Sequence, residues 1–298
     1  MASPRTALPD NAGGDFFVDQ SCIDCGTCYE LVPEVFGEAS DHARVRVQPA
    51  SDAATLRAEM ALVACPTGSI GTHTRHDLKL AAAAFPMPFE GPVSFCGYTS
   101  RKSFGAWSWL IRRPDGNVLV DAPRAVGPLM DRIEQMGGVR WMVITHGDDL
   151  ADQAAFADRF QCERVMHEAD VEDFGVTGIE RVVHGGDEVQ LADDLLIIPT
   201  PGHTRGSVVL LHAGTWLFSG DHLWGSPRLG YPTASRAFCW YSWEQQLESI
   251  ERLLAHDFRA ILPGHGPVHR ATDASAMRAE LVRALASLRA PRSSPSAG

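Results

Sequence analysis

Long apolar runs and clustered basic residues are both missing from this chain. No hydrophobic stretch approaches the roughly 18 residues that a membrane span needs, and the start of the chain lacks the charged head and apolar segment of a signal peptide. Lysine and arginine together number 26 against 37 acidic residues, and the formal net charge is -11. Because phosphate contacts require positive patches, this composition argues against nucleic-acid binding. We therefore predict a cytoplasmic protein with no membrane or nucleic-acid partner.

A framework of paired cysteines is absent as well. The chain has seven cysteines, and an odd number with three close together suits a thiolate cluster in a reducing compartment better than disulfides. Cys22, Cys25 and Cys28 form a Cys-x2-Cys-x2-Cys pattern, and Cys65 precedes Pro66. Such a loop can hold three corners of an iron-sulfur cubane, with the distant cysteine as the fourth ligand. A zinc knuckle is the alternative, but zinc sites usually show two Cys-x2-Cys pairs.

The region around these cysteines resembles a single-cluster [4Fe-4S] ferredoxin. The resemblance covers residues 13–75 and implies a cluster held by all four cysteines, with electrons supplied by a donor reductase. Residues 51–64, between the cysteine blocks, have a helical pattern. Outside the domain, residues 1–12 are predicted to be a disordered leader. The alanine run followed by three prolines in residues 76–92 predicts a stiff interdomain linker.

A second group of motifs places metal-binding side chains at the ends of apolar segments. Four such segments end in His or Asp residues close to glycine. The ends of strands are where α/β sheets carry their sites, and imidazole and carboxylate groups are ligands for transition-metal ions. We therefore predict a metal site built from these residues: His146, Asp148, Asp149, Asp152, His203, Asp221 and His265.

These motifs resemble those of the metallo-β-lactamase superfamily. The matching blocks are Thr-Pro-Gly-His-Thr-x-Gly-Ser at 200–207, Ser-Gly-Asp at 219–221 and Leu-Pro-Gly-His-Gly at 262–266. The resemblance is assigned to residues 93–286 and implies an αβ/βα sandwich with a dinuclear metal site. The predicted fold is thus α+β, a small ferredoxin-like domain followed by this sandwich, with a disordered tail at 287–298.

The resemblance also implies roles for individual side chains. His146, Asp152, His203 and His265 match metal ligands of the family, and Asp221 matches the ligand that bridges the two metals. Asp152 and Asp221 are therefore the candidate catalytic residues, and the implied cofactors are the [4Fe-4S] cluster and two metal ions.

The first metal motif departs from the family pattern. The usual sequence is His-x-His-x-Asp-His, whereas this chain continues from His146 to Gln153 with two extra residues and without a second or third histidine. Asp148 or Asp149 would take the second position, as a carboxylate does in di-iron branches of the superfamily such as the flavodiiron proteins. Gln153 is a poor ligand, since an amide oxygen binds transition metals weakly compared with imidazole.

Other residues near these motifs are expected to support the site. Asp121 matches a family position that usually supports the fold or the ligands. His222 should point away from the site unless the chain turns there, because neighbouring side chains on a strand diverge. The segment 224–243 combines helix breakers with aromatic residues and would either wall a substrate pocket or cap the sheet.

Two enzyme functions fit this pattern. In the first, the cluster passes electrons to a di-iron site, and the protein is an oxidoreductase acting on dioxygen and on a small organic substrate; mixed nitrogen and carboxylate ligation suits iron. The alternative is a zinc-type hydrolase of an ester, lactone, thioester or amide, with a structural or redox-sensing cluster. A third hypothesis is a degenerate domain that only senses through its cluster. We favour the redox hypothesis, because a hydrolase has no use for an electron relay.

Overall fold

The computed structural model describes residues 2–290, and its contacts divide the chain into two compact units. The first unit contains the chain up to Met166, with 177–182 and 264–266; the second contains 167–176, 183–263 and the residues from 267 onward. Within residues 2–290, no helix is long and apolar enough to cross a membrane.

Short elements surround the cysteine motif in the N-terminal part of the first unit. They form two small antiparallel sheets, one from the first and fourth strands and one from the second and third. The predicted helix at 51–64 is present, and Ser51 caps it by accepting a hydrogen bond from the backbone N–H of Ala54. The elements are β1 (Phe16–Val18), α1 (Thr27–Leu31), β2 (Phe36–Glu38), β3 (Ala43–Val45), α2 (Asp52–Ala64) and β4 (Ile70–Thr72).

The predicted disordered leader at 1–12 is ordered from residue 2 onward. The amide of Asn11 donates to the carbonyls of Leu8 and Val18, and its oxygen accepts from the backbone N–H groups of Val18 and Val45. One side chain thus satisfies four backbone groups from three segments, which offsets the entropy of ordering the leader. Met1 lies outside the described residues.

The predicted linker at 76–92 is also part of the folded structure. It contains α3 (Lys79–Ala83) and β5 (Met87–Glu90). β5 pairs antiparallel with the following strand, with Met87 opposite Phe95. The prolines of this segment are compatible with an edge strand, where a missing N–H costs no ladder hydrogen bond. The prediction of an interdomain linker from the composition of this segment was therefore wrong.

A seven-stranded sheet is the main element of the first unit. Its strand order is β11-β10-β9-β8-β7-β6-β5. β8, β9 and β10 run parallel, whereas β5 to β8 are antiparallel neighbours. After β5 the strands are β6 (Val93–Phe95), β7 (Trp109–Ile111), β8 (Val118–Val120), β9 (Trp141–Val143), β10 (Glu163–His167) and β11 (Arg181–Val183).

The central strand β9 carries the first metal motif at its carboxyl end. Trp141, Met142 and Val143 are all buried, as a continuous apolar run predicts for a parallel strand covered on both faces. Parallel neighbours require crossover connections, and helices α4 (Gly127–Gln135) and α5 (Gln153–Phe160) supply them. The sheet therefore holds the start of the motif loop rigidly.

A six-stranded sheet forms the second unit. Its order is β12-β13-β14-β15-β18-β19, and only the β15–β18 pair is parallel. A separate hairpin, β16–β17, lies between β15 and β18 in sequence. The strands are β12 (Val189–Ala192), β13 (Leu195–Pro199), β14 (Val208–His212), β15 (Trp216–Gly220), β16 (Trp224–Ser226), β17 (Tyr231–Thr233), β18 (Ala260–Pro263) and β19 (His269–Arg270).

The helices of the second unit are α6 (Glu168–Asp173), α7 (Trp243–Arg252) and α8 (Ala274–Arg289). Of these, α7 and α8 pack an apolar core against the second sheet. Ile250 of α7 and Leu281 of α8 pack in one buried cluster with strand residues such as Val209 and Ile261. Because α8 continues to Arg289, the predicted tail at 287–298 begins inside a helix; residues 291–298 lie outside the described part of the chain.

Candidate metal-binding sites

The four cysteines of the ferredoxin-like motif line one cavity. All seven cysteines lie in the described part of the chain, and none forms a disulfide. Cys22, Cys25, Cys28 and Cys65 lie together along the wall of this cavity. Burial, with smaller contributions from the charges of Cys65 and Cys22, raises the pKa of Cys25 to about 11. Thiols buried side by side need a cation to hold them as thiolates, and a four-iron cluster fits this donor set.

Local backbone geometry sets the positions of these sulfurs. Gly26 adopts φ 84° at the start of α1, which carries Cys28, and Cys65 ends α2, with its N–H donating to the Ala61 carbonyl. The backbone N–H of Ala43 lies 3.4 Å from Cys22 Sγ, and that of Ser69 lies 3.3 Å from Cys65 Sγ. Such N–H groups stabilise negative charge on cluster sulfurs and raise the reduction potential.

A half-buried arginine ties the cysteine motif to the region of the seven-stranded sheet. Arg124 Nη2 donates to the carbonyls of Val63 and Cys65, and its Nε donates to Thr99. Burial lowers the pKa of Arg124, and the neighbouring Cys65 charge opposes that shift. The fourth cluster cysteine therefore has a cation beside it, within the same unit.

The first metal motif folds into a short 3-10 turn, Gly147–Asp149, directly after β9. Asp149 Oδ2 lies 3.7 Å from His146 Nε2, and both side chains are only 1% exposed. Asp148, half-buried, also places a carboxylate oxygen within 4.8 Å of a ring nitrogen of His146. Both alternatives for the second ligand position therefore remain, and Asp149 is the more buried of the two.

The orientation of His146 is set by Thr145, its neighbour in the chain, and by Asp121, which follows the adjacent strand β8. Thr145 Oγ1 lies 2.8 Å from Asp121 Oδ2 and 2.9 Å from His146 Nδ1, and the backbone N–H of Thr145 also donates to Asp121. Since Asp121 accepts the hydroxyl proton, Thr145 Oγ1 accepts from the Nδ1–H of His146. The Nε2 lone pair is then left toward Asp149, the arrangement of a ligating histidine supported by a carboxylate. Asp121 thus supports the ligand, in agreement with its expected role.

Replacing Thr145 with valine should weaken metal binding without removing a ligand. The loss of the hydroxyl removes the acceptor for His146 Nδ1, and changes of this kind cost about 10- to 100-fold in metal affinity. We also expect a loss of about 1–3 kcal/mol in the free energy of unfolding. Metal titration with a competing chelator measures the first effect. The matched control is Thr99→Val, which loses one buried hydrogen bond to the Ala64 carbonyl. This variant should lose stability but keep its metal affinity. Equal affinity losses in both variants would contradict the role of Thr145 in orienting His146.

Asp152, the predicted ligand and catalytic residue, contacts other groups in the structure. Its Oδ1 lies 2.7 Å from Lys102 Nζ, and its Oδ2 accepts from the backbone N–H of Ala125. Its role as a metal ligand stays a prediction. Gln153, already a doubtful ligand, accepts from Arg164 Nη1 at 2.7 Å.

The second unit carries a matching pair of donors. His203 Nε2 lies 4.0 Å from Asp221 Oδ2. His203 Nδ1 lies 2.5 Å from the Phe238 carbonyl; a carbonyl only accepts, so Nδ1 carries the proton and Nε2 offers the lone pair. The buried Asp170 holds this loop by accepting from Thr204 Oγ1 and the Gly206 N–H. Imidazole and carboxylate at this separation form the donor set of a transition-metal site.

His222 is a candidate donor that the sequence prediction set aside. The chain does turn here: Gly220 adopts φ 50°, and the His222 N–H donates to Ser219. Neither ring nitrogen has a hydrogen-bond partner among the described residues. Burial, with a smaller contribution from the charge of His203, lowers the pKa of His222 to about 3, so the ring is neutral. The Ser-Gly-Asp-His sequence contained this signal, because glycine permits the turn.

Aromatic side chains flank His203 in the second unit. The backbone N–H groups of Trp240 and Tyr241 both donate to the His203 carbonyl. Phe238, Trp240 and Tyr241 are exposed large side chains, with Trp240 63% exposed. We call these three residues the aromatic rim. Their exposure favours the pocket-wall interpretation of the segment 224–243 over the cap, because capping residues would be buried.

His265, the last predicted ligand, belongs to the first unit with Gly264 and Gly266. It follows β18, and the carbonyl of Gly264 accepts from the backbone N–H of Trp107 at 2.7 Å. The ring centroid of His265 lies 6.2 Å from that of Phe104. This contact connects the His265 turn to the 3-10 turn Arg101–Ser103, which the sequence motifs do not mark.

Comparison with known proteins assigns both halves of the chain. Residues 18–72 match the 4Fe-4S single cluster domain of Ferredoxin I, and residues 94–285 match the metallo-beta-lactamase superfamily. Hydroxyacylglutathione hydrolase of Stenotrophomonas maltophilia is 33% identical over 132 residues, covering 43% of this chain and 51% of that protein. The match therefore spans about half of that relative.

Solved structures support the fold. A metallo-beta-lactamase from Hirschia baltica superposes with a TM-score of 0.51 at 17% identity, covering 70% of this chain and 98% of that one. A metallo-beta-lactamase from Pontibacter korlensis gives a TM-score of 0.50 at 17% identity, covering 69% and 98%. Such families imply an iron-sulfur cluster and metal ions as cofactors. From the cysteine cavity, the metal donors and these matches together, the chain belongs to the metallo-β-lactamase superfamily and carries a [4Fe-4S] ferredoxin-type domain at its N-terminal side.

Proposed function

We propose that this protein is an oxidoreductase in which the ferredoxin-type domain supplies electrons to iron bound by the metallo-β-lactamase donors. The observation that carries this proposal is that the cluster cysteines and the donors His146, Asp149 and His265 belong to one compact unit. A domain attached only by a tether would have formed its own unit. A reductase that delivers electrons to the cluster is part of the proposal.

The donor set favours iron over zinc. The carboxylate of Asp149 stands close to His146 in the motif where hydrolytic relatives use histidine, and anionic oxygen donors stabilise the ferric state. His203, Asp221 and His265 are the other proposed ligands. When bound, iron would supply one-electron chemistry toward dioxygen or another small oxidant.

The protein's own residues then have defined tasks. Thr145 and the Phe238 carbonyl hold the Nε2 atoms of His146 and His203 available as donors. The aromatic rim offers exposed apolar surface next to His203 and would position a small organic substrate by stacking. Asp121 accepts hydrogen bonds from the backbone N–H and the hydroxyl of Thr145.

Hydrolysis is the second candidate function, because the curated relative is named a hydroxyacylglutathione hydrolase. A thioester or a similar acyl compound would then be the substrate, and the metals would supply an activated water molecule. The cluster would be structural or would sense the redox state. Fold similarity alone does not decide between these chemistries.

Metal analysis of protein purified without oxygen separates the two functions. The redox proposal predicts about six irons per chain, four in the cluster and two at the second site. Reduction by dithionite followed by oxygen should oxidise the cluster and the second-site iron together. Zinc at the second site, with thioester turnover that does not change when the cluster is reduced, would instead establish the hydrolase.

A further inference from the structure

We propose that the loop Ser100–Trp107 is the electron-transfer bridge between the cluster ligand Cys25 and the metal ligand His265. This proposal rests on the proposed redox function and adds the route. The loop and both ligands belong to the first unit. We call residues 100–107 the bridge loop.

One end of the bridge loop contacts the cysteine motif. A Cβ added at Gly105 would lie 2.6 Å from Cys25 Cβ and 2.8 Å from its Sγ. Only a residue without a side chain allows this approach, and Gly105 also adopts φ 91°. Thr27 Oγ1 donates to the Gly105 carbonyl at 3.1 Å and lies 3.4 Å from Cys25 Sγ. The Gly105 backbone is therefore in van der Waals contact with a cluster ligand.

The other end contacts the His265 turn. The Phe104 ring lies 6.2 Å from the His265 ring, centroid to centroid, within the range of aromatic contacts. Trp107 is hydrogen-bonded to Gly264, the residue before His265. Phe104 and Gly105 are neighbours, with Cα atoms about 3.8 Å apart. One peptide unit therefore joins the contact with Cys25 to the contact with His265.

Phe104 has a strained backbone conformation and an exposed apolar ring. Its φ is 50°, a region that bulky residues rarely adopt, and its apolar ring is 55% exposed. Hydrogen bonds from Gly105 N–H to Ser100 and from Ala106 N–H to Ser103 hold the loop in place. Strained residues persist where the surrounding structure fixes them, and they concentrate at functional sites.

The bridge loop gives a short bonded route for a single electron. The cluster held by the four cysteines would supply one electron, and a ferric ion held by His265 would accept it; no proton would move. Electron tunnelling weakens steeply across empty space and less steeply through bonds. The π system of Phe104 would shorten the through-space part of the route at the His265 end.

Flash reduction of the holoprotein tests the route. Anaerobic protein with iron in both sites is reduced at the cluster by a photochemical donor, and the visible absorbance of the cluster reports its reoxidation. We expect Phe104→Leu to slow reoxidation at least about tenfold, equivalent to about 1.4 kcal/mol in the barrier, with both reduction potentials unchanged. Phe104→Tyr keeps the ring and should keep the rate. Phe174→Leu, at a partly exposed phenylalanine of the second unit, is the matched control.

The outcomes separate the route from the function. Fast reoxidation in the wild type that is equally fast in Phe104→Leu would overturn the bridge loop while leaving the redox function intact. Absence of intramolecular reoxidation in the wild type would overturn both. Slow reoxidation in the leucine variant alone, with tyrosine and the control at the wild-type rate, supports the proposed bridge.

Discussion

Replacing Cys65 with serine is expected to remove the iron-sulfur cluster and leave the metals of the second site bound. Cys65 is buried at the end of α2 and lines the cavity with the other three cysteines. A serine hydroxyl does not ionise at neutral pH and is a hard donor, so the fourth iron loses its ligand. We expect a loss of about four irons per chain and of electron delivery, measured by iron analysis and by the visible spectrum.

The control for this variant is Cys162→Ser. Cys162 is also a buried thiol of the first unit, with its pKa raised to about 11 by burial, but it does not line the cysteine cavity. It should keep the cluster. A Cys65→Ser protein that retains four irons and a reducible cluster would contradict the assignment of the fourth ligand. Retained turnover without a cluster would contradict the electron relay.

The second large effect is expected from Asp149→Asn. The amide keeps the size of the side chain but removes the negative charge next to His146 Nε2. Since outer-sphere changes already cost about 10- to 100-fold in metal affinity, loss of a charged ligand should cost more than about 100-fold. Competition with a chelator measures the affinity, and the loss of second-site iron with an intact cluster spectrum identifies the site.

Two further substitutions make this result interpretable. Asp187→Asn changes an exposed carboxylate in a turn and should leave metal affinity unchanged. Asp148→Asn changes the half-buried neighbour of Asp149 and shows whether both carboxylates bind metal. Unchanged affinity in Asp149→Asn, with a loss in Asp148→Asn, would transfer the ligand role to Asp148.

The sequence predicted those parts of the site whose ligands lie close together in the chain. The cysteine motif was complete in the sequence, because three ligands on one loop and a Cys-Pro pair carry their own geometry. The strand ends before His146, His203 and Asp221 were also predictable, since continuous apolar runs mark buried strands.

The first metal motif was only partly predictable. Its three aspartates are close together in sequence, so spacing alone could not choose between them. In the structure Asp152 pairs with Lys102, which lies 50 residues away in the chain, and no local pattern records such a partner. His222 was left open for a different reason: the alternation rule for strands does not apply where Gly220 turns the chain. The support of His146 by Asp121 also spans 24 residues through Thr145.

The leader and linker predictions failed because composition describes flexibility poorly when tertiary contacts are available. Asn11 orders a leader that its sequence would leave free. Three prolines and an alanine run resemble a spacer, yet the segment supplies a helix and an edge strand. The local secondary-structure propensity of a segment predicts its conformation poorly where a neighbouring strand can pair with it.

The edge strand β5 limits how this protein can be taken apart. It lies between the two family matches, at 18–72 and 94–285, yet it is hydrogen-bonded to β6 of the enzyme's sheet. Cutting the chain after residue 92 would leave the backbone N–H and C=O groups of β6 unpaired at the sheet edge. Such exposed edge strands pair with strands of other molecules and cause aggregation. Anyone replacing the ferredoxin-type domain should therefore keep residues 79–90 with the rest of the chain, because the natural junction lies upstream of the proline-rich segment.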